Sequence, residues 1–282
     1  MKRKLALILL LCFSMMLVLT GCGSKATDKA DDKGTTAPAS APADTSWQEI
    51  KEKGYFVVGL DDAFPPMGFR EEGTHEIVGF DIDLAKEAAK RMGVEVKFQP
   101  VIWDTVIEEL NSGNIDVIWN GLTITEDRKK KIAFTKPYTE DKQIIVVQKN
   151  SKINSKKDLA GKTVGLQAES SAMDALKKDE ATYKSIGKLV EFASNDEALL
   201  DLKAGRLDAV VVDEVVGRYY IAKKPGDYRV LTEHFGKEEF GVGVRKGDKT
   251  FLAELEKTLD AMKADGTAAN ISRKWFGEDI IK

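Results

Sequence analysis

The feature that most constrains the fold is an alternation of strand-like and helix-like segments that begins near residue 55. Tyr55–Leu60 and Ile115–Trp119 are short apolar runs, and Val94–Phe98 alternates as a half-buried strand does. Between them, Asp81–Met92 and Trp103–Leu110 read as helices, and the first of these places its apolar residues on one face. Strands and helices in this order predict a parallel, doubly wound α/β sheet.

The same rhythm restarts in the second half of the chain. Strands are predicted at Thr163–Gln167, Leu189–Phe192 and Ala209–Val212, with helices at Ser171–Lys178 and Asp196–Lys203. Two similar α/β units without a linker between them predict two lobes that share a cleft. The last part of the chain has too few strands for a third unit, so we expect it to pack back onto the first lobe. Ligands of open α/β sheets bind beyond the carboxyl ends of the strands, which makes the cleft the expected site.

The first residues have the pattern of a bacterial secretory signal peptide over residues 1–21. Met1–Lys4 is basic, Leu5–Leu19 is almost entirely apolar, and small residues follow. Leu19–Cys22 reads Leu-Thr-Gly-Cys and resembles a lipobox, in which the thiol of Cys22 receives a diacylglycerol before cleavage. The alternatives are a plain secreted product and an uncleaved membrane anchor, for which the apolar run is short.

Residues 22–46 are expected to form the lipidated cysteine and a flexible linker. From Gly23 to Ser46 the composition is Ser, Lys, Thr, Asp, Ala, Gly and Pro without a large apolar residue, which is typical of a disordered tether. Cys12 leaves with the signal peptide and lipid occupies Cys22, so no disulfide is expected. The net charge of −3 argues against a nucleic-acid partner.

Three segments carry a family resemblance, which extends from about Tyr55 to Trp275. Gly79–Leu84, Asn120–Arg128 and the closing Lys274–Gly277 together resemble the polar amino acid solute-binding proteins of ABC importers. The resemblance implies the type II periplasmic-binding-protein fold, in which each lobe is a mostly parallel sheet flanked by helices. It also implies membrane permease subunits with a cytoplasmic ATPase as partners, a free L-amino acid as ligand, and no cofactor or metal. We further expect a monomer.

The two α/β units and the returning last segment set the expected lobe boundaries. We predict a first lobe from residues 47–138 and a return segment, 237–282, with residues 139–236 as the second lobe. Hinges are expected near residues 138–144 and 233–240.

The resemblance assigns the ligand's α-carboxylate to the Gly-x-Thr-x-Thr-x-x-Arg run. Gly121, Thr123 and Arg128 occupy its positions, and a guanidinium suits a carboxylate through two parallel hydrogen bonds. The structural alternative is that residues 125–128 are only a helix N-cap followed by charged residues, and Asp127 is interpreted in that way.

The second lobe is expected to supply the partner of the α-ammonium. Asp213 follows an apolar strand and matches the family's ammonium-binding aspartate, although an N-cap role suits the same position. Ser170 and Ser171, at a helix start, would add donors for the carboxylate. Many relatives have glycine where this chain has Glu169, so that carboxylate needs to point away.

Five further residues are candidates for the side-chain pocket: Phe64, Trp103, Asp61, Gln167 and Asn120. The two aromatic residues match pocket positions of the family, although an aromatic at a helix start is otherwise usually core. With Trp103 offering a π-face, Asp61 would suit a guanidinium or ammonium side chain, although relatives that bind neutral polar amino acids also carry this aspartate.

The sequence therefore predicts capture of a polar L-amino acid for an ABC importer rather than catalysis. Arginine or lysine is the first expectation, followed by a glutamine-like ligand and then cystine. The rivals are a cleft enzyme such as a dehydratase and an amino-acid-sensing receptor module. The two histidines, His75 and His234, lie far apart, and the sequence contains no Gly-x-Ser-x-Gly elbow or metal-spaced His/Cys cluster.

Overall fold

The computed structural model describes residues 43–282 of the 282-residue chain. The predictions for the signal peptide, for Cys22 and for the linker up to residue 42 lie outside these described residues. Within them, the strands are, in chain order, β1 (Tyr55–Leu60), β2 (Ala63–Phe64), β3 (Gly68–Arg70), β4 (Ile77–Val78), β5 (Glu95–Pro100), β6 (Val117–Ile118), β7 (Ala133–Phe134), β8 (Thr139–Gln148), β9 (Thr163–Gln167), β10 (Lys188–Phe192), β11 (Ala209–Asp213), β12 (Tyr228–Phe240) and β13 (Gly243–Val244). The α-helices are α1 (Ser46–Lys53), α2 (Phe80–Met92), α3 (Val106–Asn111), α4 (Glu126–Lys131), α5 (Ser171–Lys178), α6 (Glu180–Ser185), α7 (Asn195–Lys203), α8 (Glu214–Lys223), α9 (Lys249–Ala264) and α10 (Thr267–Phe276).

The first lobe is built on a five-stranded sheet with the strand order β5-β1-β6-β13-β7. β5, β1 and β6 are parallel, with Val58 of β1 opposite Phe98 on one side and Val117 on the other. β13 pairs antiparallel with both β6 and β7, so a strand from near the end of the chain completes this sheet. Helices α2 and α3 connect the parallel strands, and α9 and α10 pack against α2.

The second lobe is built on a five-stranded sheet with the order β10-β9-β11-β8-β12. β10, β9 and β11 are parallel, and β8 and β12 complete the sheet in antiparallel orientation. The α/β architecture with helices flanking two sheets confirms the predicted fold class. The strand Thr163–Gln167 and the helix Ser171–Lys178 have the predicted bounds, because each is bracketed by polar turn residues.

The two lobes are joined through the long antiparallel strands β8 and β12, which were not predicted as strands. Their pairing begins where the chain crosses between lobes, with Thr139 opposite Phe240 and Asp141 opposite Glu238. The first half of β8 carries the polar residues Asp141 and Gln143 on its buried face, whereas its second half contains the buried apolar run Ile144–Val147, which is typical of a strand. β12 continues to Phe240 and therefore passes the predicted lobe boundary at residues 236 and 237.

The central parallel strands of both sheets are buried, as parallel sheets favour, whereas the edge strands β5 and β10 are partly exposed. Phe56, Val58 and Leu60 of β1 are fully buried, and so are Val210 and Val212 of β11. In the part of the chain that the structure describes, no helix has the length and apolar character needed to cross a membrane.

Candidate functional site

A small cavity between the lobes brings together nine of the eleven predicted ligand-binding residues. Its volume is about 10 Å³, which is close to the space that one water molecule requires. The lobes are therefore in contact across it, and an amino acid can enter only if they separate. The lining residues are Phe64, Trp103, Gly121, Thr123 and Arg128 on the first lobe and Gln167, Ser170, Ser171 and Asp213 on the second.

Arg128 projects from α4 into the cleft and touches both lobes. Its Nη1 donates to the carbonyl oxygen of Thr123 at 3.0 Å, and its Nη2 donates to that of Glu169 at 2.9 Å. The helix-cap alternative also holds, because the Thr125 side chain accepts the backbone N–H of Arg128 at 3.1 Å. Burial lowers the pKa of Arg128. Among residues 43–282 the guanidinium makes no ion pair within 4.0 Å, so it has charge available for an anion.

A buried carboxylate, that of Asp81, holds the loop that carries Gly121 through a hydrogen bond. Asp81 accepts the backbone N–H of Gly121 at 2.7 Å and the hydroxyl of Tyr138 at 2.9 Å. Burial raises the pKa of Asp81 to about 7. Gly121 has φ of 57°, and a β-carbon there would lie 2.8 Å from the ring of Phe64. Glycine is therefore required both by the backbone conformation and by the close approach of the aromatic wall.

Asp213 occupies the N-cap position of α8 but does not cap it. Its side chain makes no capping hydrogen bond, and Asp141 of β8 instead accepts the N–H groups of Glu214 at 3.1 Å and Val215 at 3.2 Å. Asp141 thus takes over the structural role that the sequence offered to Asp213. The carboxylate of Asp213 is left for the cleft.

In the cleft, Asp213 belongs to a polar network. Its Oδ1 accepts from Gln143 Nε2 at 2.9 Å. The hydroxyls of Thr123 and Ser171 lie 3.0 Å apart and link the two lobes. Burial raises the pKa of Asp213 to about 7, and the negative charge of nearby Glu238 contributes further. A positively charged group placed here would be strongly stabilised.

Asp61 and Gln167 face each other across the cleft. Asp61 Oδ2 accepts from Gln167 Nε2 at 2.7 Å, and its Oδ1 accepts the N–H of Ala63 at 2.8 Å. Burial raises the pKa of Asp61 to about 6. Asn120 is directed differently: its Oδ1 accepts the N–H of Asp61 at 2.9 Å, so it orders the turn after β1 rather than lining the cavity.

Phe64 and Trp103 form two parallel aromatic walls on the first lobe. Their ring centroids are 6.5 Å apart, and the rings are inclined by 6°. Both rings line the small cavity and so offer aromatic faces to a ligand. Trp103 also lies 5.8 Å from the guanidinium carbon of Arg128.

The turn between β9 and α5 explains why a glycine suits residue 169. Glu169 has φ of 54°, in the left-handed region that glycine adopts most easily. Its side chain is exposed and borders a neighbouring cavity of about 260 Å³ rather than the small one. Ser170 Oγ donates to the carbonyl of Gln167 at 2.8 Å, and Ser171 begins α5.

The sequence did not identify three polar residues of the crossing strands: Asp141, Gln143 and Glu238. Asp141 and Gln143 are buried, and Glu238 accepts hydrogen bonds from both lobes. A signal was present, because Thr139, Asp141 and Gln143 alternate along one strand face. Polar residues at alternate positions usually indicate the solvent side of a strand, so the pattern pointed away from the cleft.

The fold and the site together define a two-lobed binding protein whose cleft presents fixed charges of both signs. The sequence model of the family described as "Bacterial extracellular solute-binding proteins, family 3" matches residues 56–278, and the chain belongs to this family.

Individual relatives support the same assignment. The chain is 33% identical over 241 residues to the L-cystine-binding protein TcyJ of Escherichia coli (strain K12), covering 83% of this chain and 87% of that protein. A histidine-bound ABC uptake transporter substrate-binding protein from Streptococcus pneumoniae superposes with a TM-score of 0.82 and 35% identity, over 86% of this chain and all of that one. An ancestral arginine-binding protein bound to arginine gives a TM-score of 0.75 and 45% identity, over 79% and 99% of the two chains.

These relatives are transport solute-binding proteins rather than enzymes, and the enzyme alternative is set aside on that ground. The type II binding-protein fold is confirmed by the same likeness. The ligands of these relatives differ, being cystine, histidine and arginine, so the family assignment leaves the amino acid open.

Proposed function

We propose that this chain is an extracytoplasmic lipoprotein that captures a polar L-amino acid, with arginine or lysine first, and delivers it to an ABC importer. The observation that carries the proposal is the burial of Arg128 and Asp213 on opposite lobes of one cleft. A free amino acid carries an α-carboxylate and an α-ammonium. Burying both requires fixed counter-charges, which these two side chains supply.

The preference for a cationic side chain rests on Asp61 and the aromatic pair. The buried carboxylate of Asp61 has its pKa raised to about 6, which means that a nearby cation would relieve an unfavourable burial of charge. Phe64 and Trp103 add π-faces suited to a guanidinium. An ancestral arginine-binding protein, 45% identical to this chain, has been solved bound to arginine, and one 44% identical has been solved bound to glutamine, so these relatives agree with the first choice and also with the alternative. A glutamine-like ligand or cystine is the alternative.

Ligand capture is proposed to close the lobes about the two crossing strands. In this proposal residues 47–138 and 237–282 move as one lobe and residues 139–236 as the other, with hinges near residues 138–144 and 233–240. The ligand stabilises the closed form by bridging Arg128 and Asp213. The permease subunits, driven by a cytoplasmic ATPase, would recognise the closed form because they bind it more tightly than the open form. The protein is expected to act as a monomer.

The ligand is tested by calorimetric titration of the purified protein, after unfolding and refolding to remove co-purified ligand. The panel is the common L-amino acids and L-cystine. Tight binding confined to arginine and lysine is the expected result. Tight binding of glutamine or cystine would keep the capture role and remove the role of Asp61 as the partner of a cationic side chain. If no amino acid of the panel binds, amino-acid capture is rejected.

The lipid anchor is tested at Cys22, on the basis of the Leu-Thr-Gly-Cys sequence. Cells that express the protein are grown with a radiolabelled fatty acid and then separated into membrane and soluble fractions. We expect the wild-type protein to carry label and to sediment with the membranes, because two acyl chains hold firmly. The Cys22→Ser variant should lose both, whereas Cys12→Ser, inside the predicted signal peptide, should change neither. Equal labelling of the wild type and Cys22→Ser would reject the anchor.

A further inference from the structure

Glu238 of β12 lies at the point where both lobes and a crossing strand meet. Its Oε2 accepts from Thr123 Oγ1 at 2.9 Å and from Ser171 Oγ at 2.8 Å, which come from opposite lobes. The same oxygen accepts from Gln143 Nε2 at 3.2 Å. Two of these partners, Thr123 and Ser171, line the cavity itself. The Glu238 carboxylate therefore borders the ligand cleft although the sequence gives no hint of it.

A nitrogen donor already lies between the carboxylates of Glu238 and Asp213. Gln143 Nε2 is 2.9 Å from Asp213 Oδ1, 3.2 Å from Glu238 Oε2 and 3.2 Å from Ser171 Oγ. This one amide nitrogen has two hydrogens for three acceptors. The two carboxylates are consequently close enough to share one donor, and that donor is a neutral amide rather than a cation.

The network is short of donors. Gln143 is fully buried, and its Oε1 has no hydrogen-bond partner among residues 43–282. Buried acceptors without a donor are costly, so they are normally satisfied. An ammonium group supplies three N–H donors and one positive charge. It can therefore donate to Asp213 and Glu238 together and supply the positive charge that the neutral amide lacks.

The balance of charge points in the same direction. Arg128 is the cation that faces this end of the cleft, and Glu238 and Asp213 are the two carboxylates that act on it most strongly. The carboxylate of a zwitterionic ligand would pair with Arg128, so Arg128 would no longer balance the charge of Asp213 and Glu238. The two carboxylates then need a cation of their own, and the ligand's α-ammonium is the one that reaches them.

We propose that Glu238 is a ligand-binding residue that holds the α-ammonium jointly with Asp213, a role that rests on the proposed capture of an amino acid. In a purely structural role, Glu238 would serve as a clasp that accepts the Thr123 and Ser171 hydroxyls. Glutamine has the same shape and keeps one acceptor oxygen for those hydroxyls but has no charge. The Glu238→Gln substitution therefore separates the two roles.

The experiment measures the affinity of the whole protein for two probes by calorimetry. L-Arginine carries the α-ammonium, and 5-guanidinopentanoic acid has the same chain and carboxylate without it. We expect Glu238→Gln to weaken L-arginine binding by about tenfold or more, as for the loss of a hydrogen bond to a charged group, and to leave the deamino analogue nearly unchanged. The neighbouring Glu239→Gln removes the same charge from an exposed position and should match the wild type.

The pH profile of L-arginine binding gives a second readout, which reports on the charge of Glu238 near Asp213. Ionised Asp213 is needed for the ammonium, and Glu238 helps to raise the pKa of Asp213. On acidification, the affinity of Glu238→Gln for L-arginine should therefore begin to decline at a lower pH than that of the wild type. Equal affinity and an equal pH profile in wild type and Glu238→Gln would overturn the proposal.

Two further outcomes keep the proposal separate from the capture role. If the wild type binds no amino acid, the proposed function itself fails. If the wild type binds L-arginine but Glu238→Gln binds both probes more weakly by the same factor, Glu238 is a clasp alone. Should Glu238→Gln not fold, Glu238→Asp takes its place, since the shorter carboxylate withdraws from Gln143. We expect it to weaken binding of L-arginine more than that of the deamino analogue.

Discussion

Arg128 and Asp213 are available to a ligand because neighbouring residues satisfy the structural needs around them. Thr125 caps α4, so the side chain of Arg128 extends into the cleft. Asp141 caps α8, so the carboxylate of Asp213 does the same. In each case a second polar residue caps the N-terminus of the helix. The capping roles are therefore filled by Thr125 and Asp141, and the side chains of Arg128 and Asp213 remain for the proposed binding role.

Loss of either charge should weaken ligand binding severely. We expect Arg128→Ala and Asp213→Ala each to raise the dissociation constant for the bound amino acid by an amount equivalent to about 2–5 kcal/mol, because each strands a buried charge of the ligand. Isothermal calorimetry checks this, with circular dichroism to show that the variants fold.

Asp127 provides the matched control, because it neighbours Arg128 on the same helix but is exposed and pairs with Lys130. Asp127→Ala should bind like the wild type. Near-wild-type affinity in a folded Arg128→Ala variant would contradict the assignment of Arg128 to the ligand site.

At the scale of elements, the turn between β9 and α5 combines two demands. The carbonyl oxygen of Glu169 must reach Arg128 of the other lobe, and this requires the left-handed conformation of residue 169. A non-glycine residue in that region costs about 1–2 kcal/mol. The chain therefore carries some strain at a contact between its lobes.

Glu169→Gly should relieve this strain. We expect the free energy of unfolding to rise by up to about 1 kcal/mol, because the strain removed is partly offset by the greater freedom of glycine in the unfolded chain. Urea denaturation followed by tryptophan fluorescence measures the change.

Glu169→Gln removes the same charge but keeps a β-carbon, so it should not be stabilised. A gain of equal size in both variants would show that charge, not backbone strain, is responsible. Ligand affinity should survive in Glu169→Gly, because the carbonyl that accepts from Arg128 is retained.

At the scale of the whole molecule, burial of carboxylates couples stability to pH. Asp61, Asp81 and Asp213 are all buried, and burial raises the pKa of each, to about 6, about 7 and about 7. A carboxyl group whose pKa is higher in the folded state binds protons more readily there than in the unfolded chain. The folded protein therefore loses stability as the pH rises through this range.

The free energy of unfolding of the ligand-free protein should fall between about pH 4 and pH 7 from this cause, and level off above pH 7. For Asp81 alone the total is on the order of a few kcal/mol, at about 1.4 kcal/mol for each pKa unit. Urea midpoints at pH 5, 6, 7 and 8 measure the slope.

The Asp81→Asn variant should show a flatter slope, since asparagine can still accept from Gly121 and Tyr138 but does not titrate. Asp104→Asn, at an exposed position, should keep the wild-type slope. An unchanged slope in Asp81→Asn would mean that other groups control the pH dependence.

Much of the fold could be predicted from the sequence because its signals are local. The apolar run of β9, the glycine after α2 and the acidic first turn of α2 are each properties of a few adjacent residues. The apolar run Ile144–Val147 of β8 is also a local strand signal. The pairing of β8 with β12 could not be predicted, because the paired residues lie about a hundred residues apart along the chain.

The candidate site divides in the same way. By itself the sequence determined the α/β alternation, the family resemblance, the position of Asp213 at the end of a strand and that of Arg128 after a helix cap, since these depend on local pattern and spacing. Tertiary structure alone decided that Asp141 caps α8, that Asn120 orders a turn, and that Glu238 borders the cleft. The physical reason is that a polar side chain takes whichever buried partner the packed lobes bring within hydrogen-bond distance.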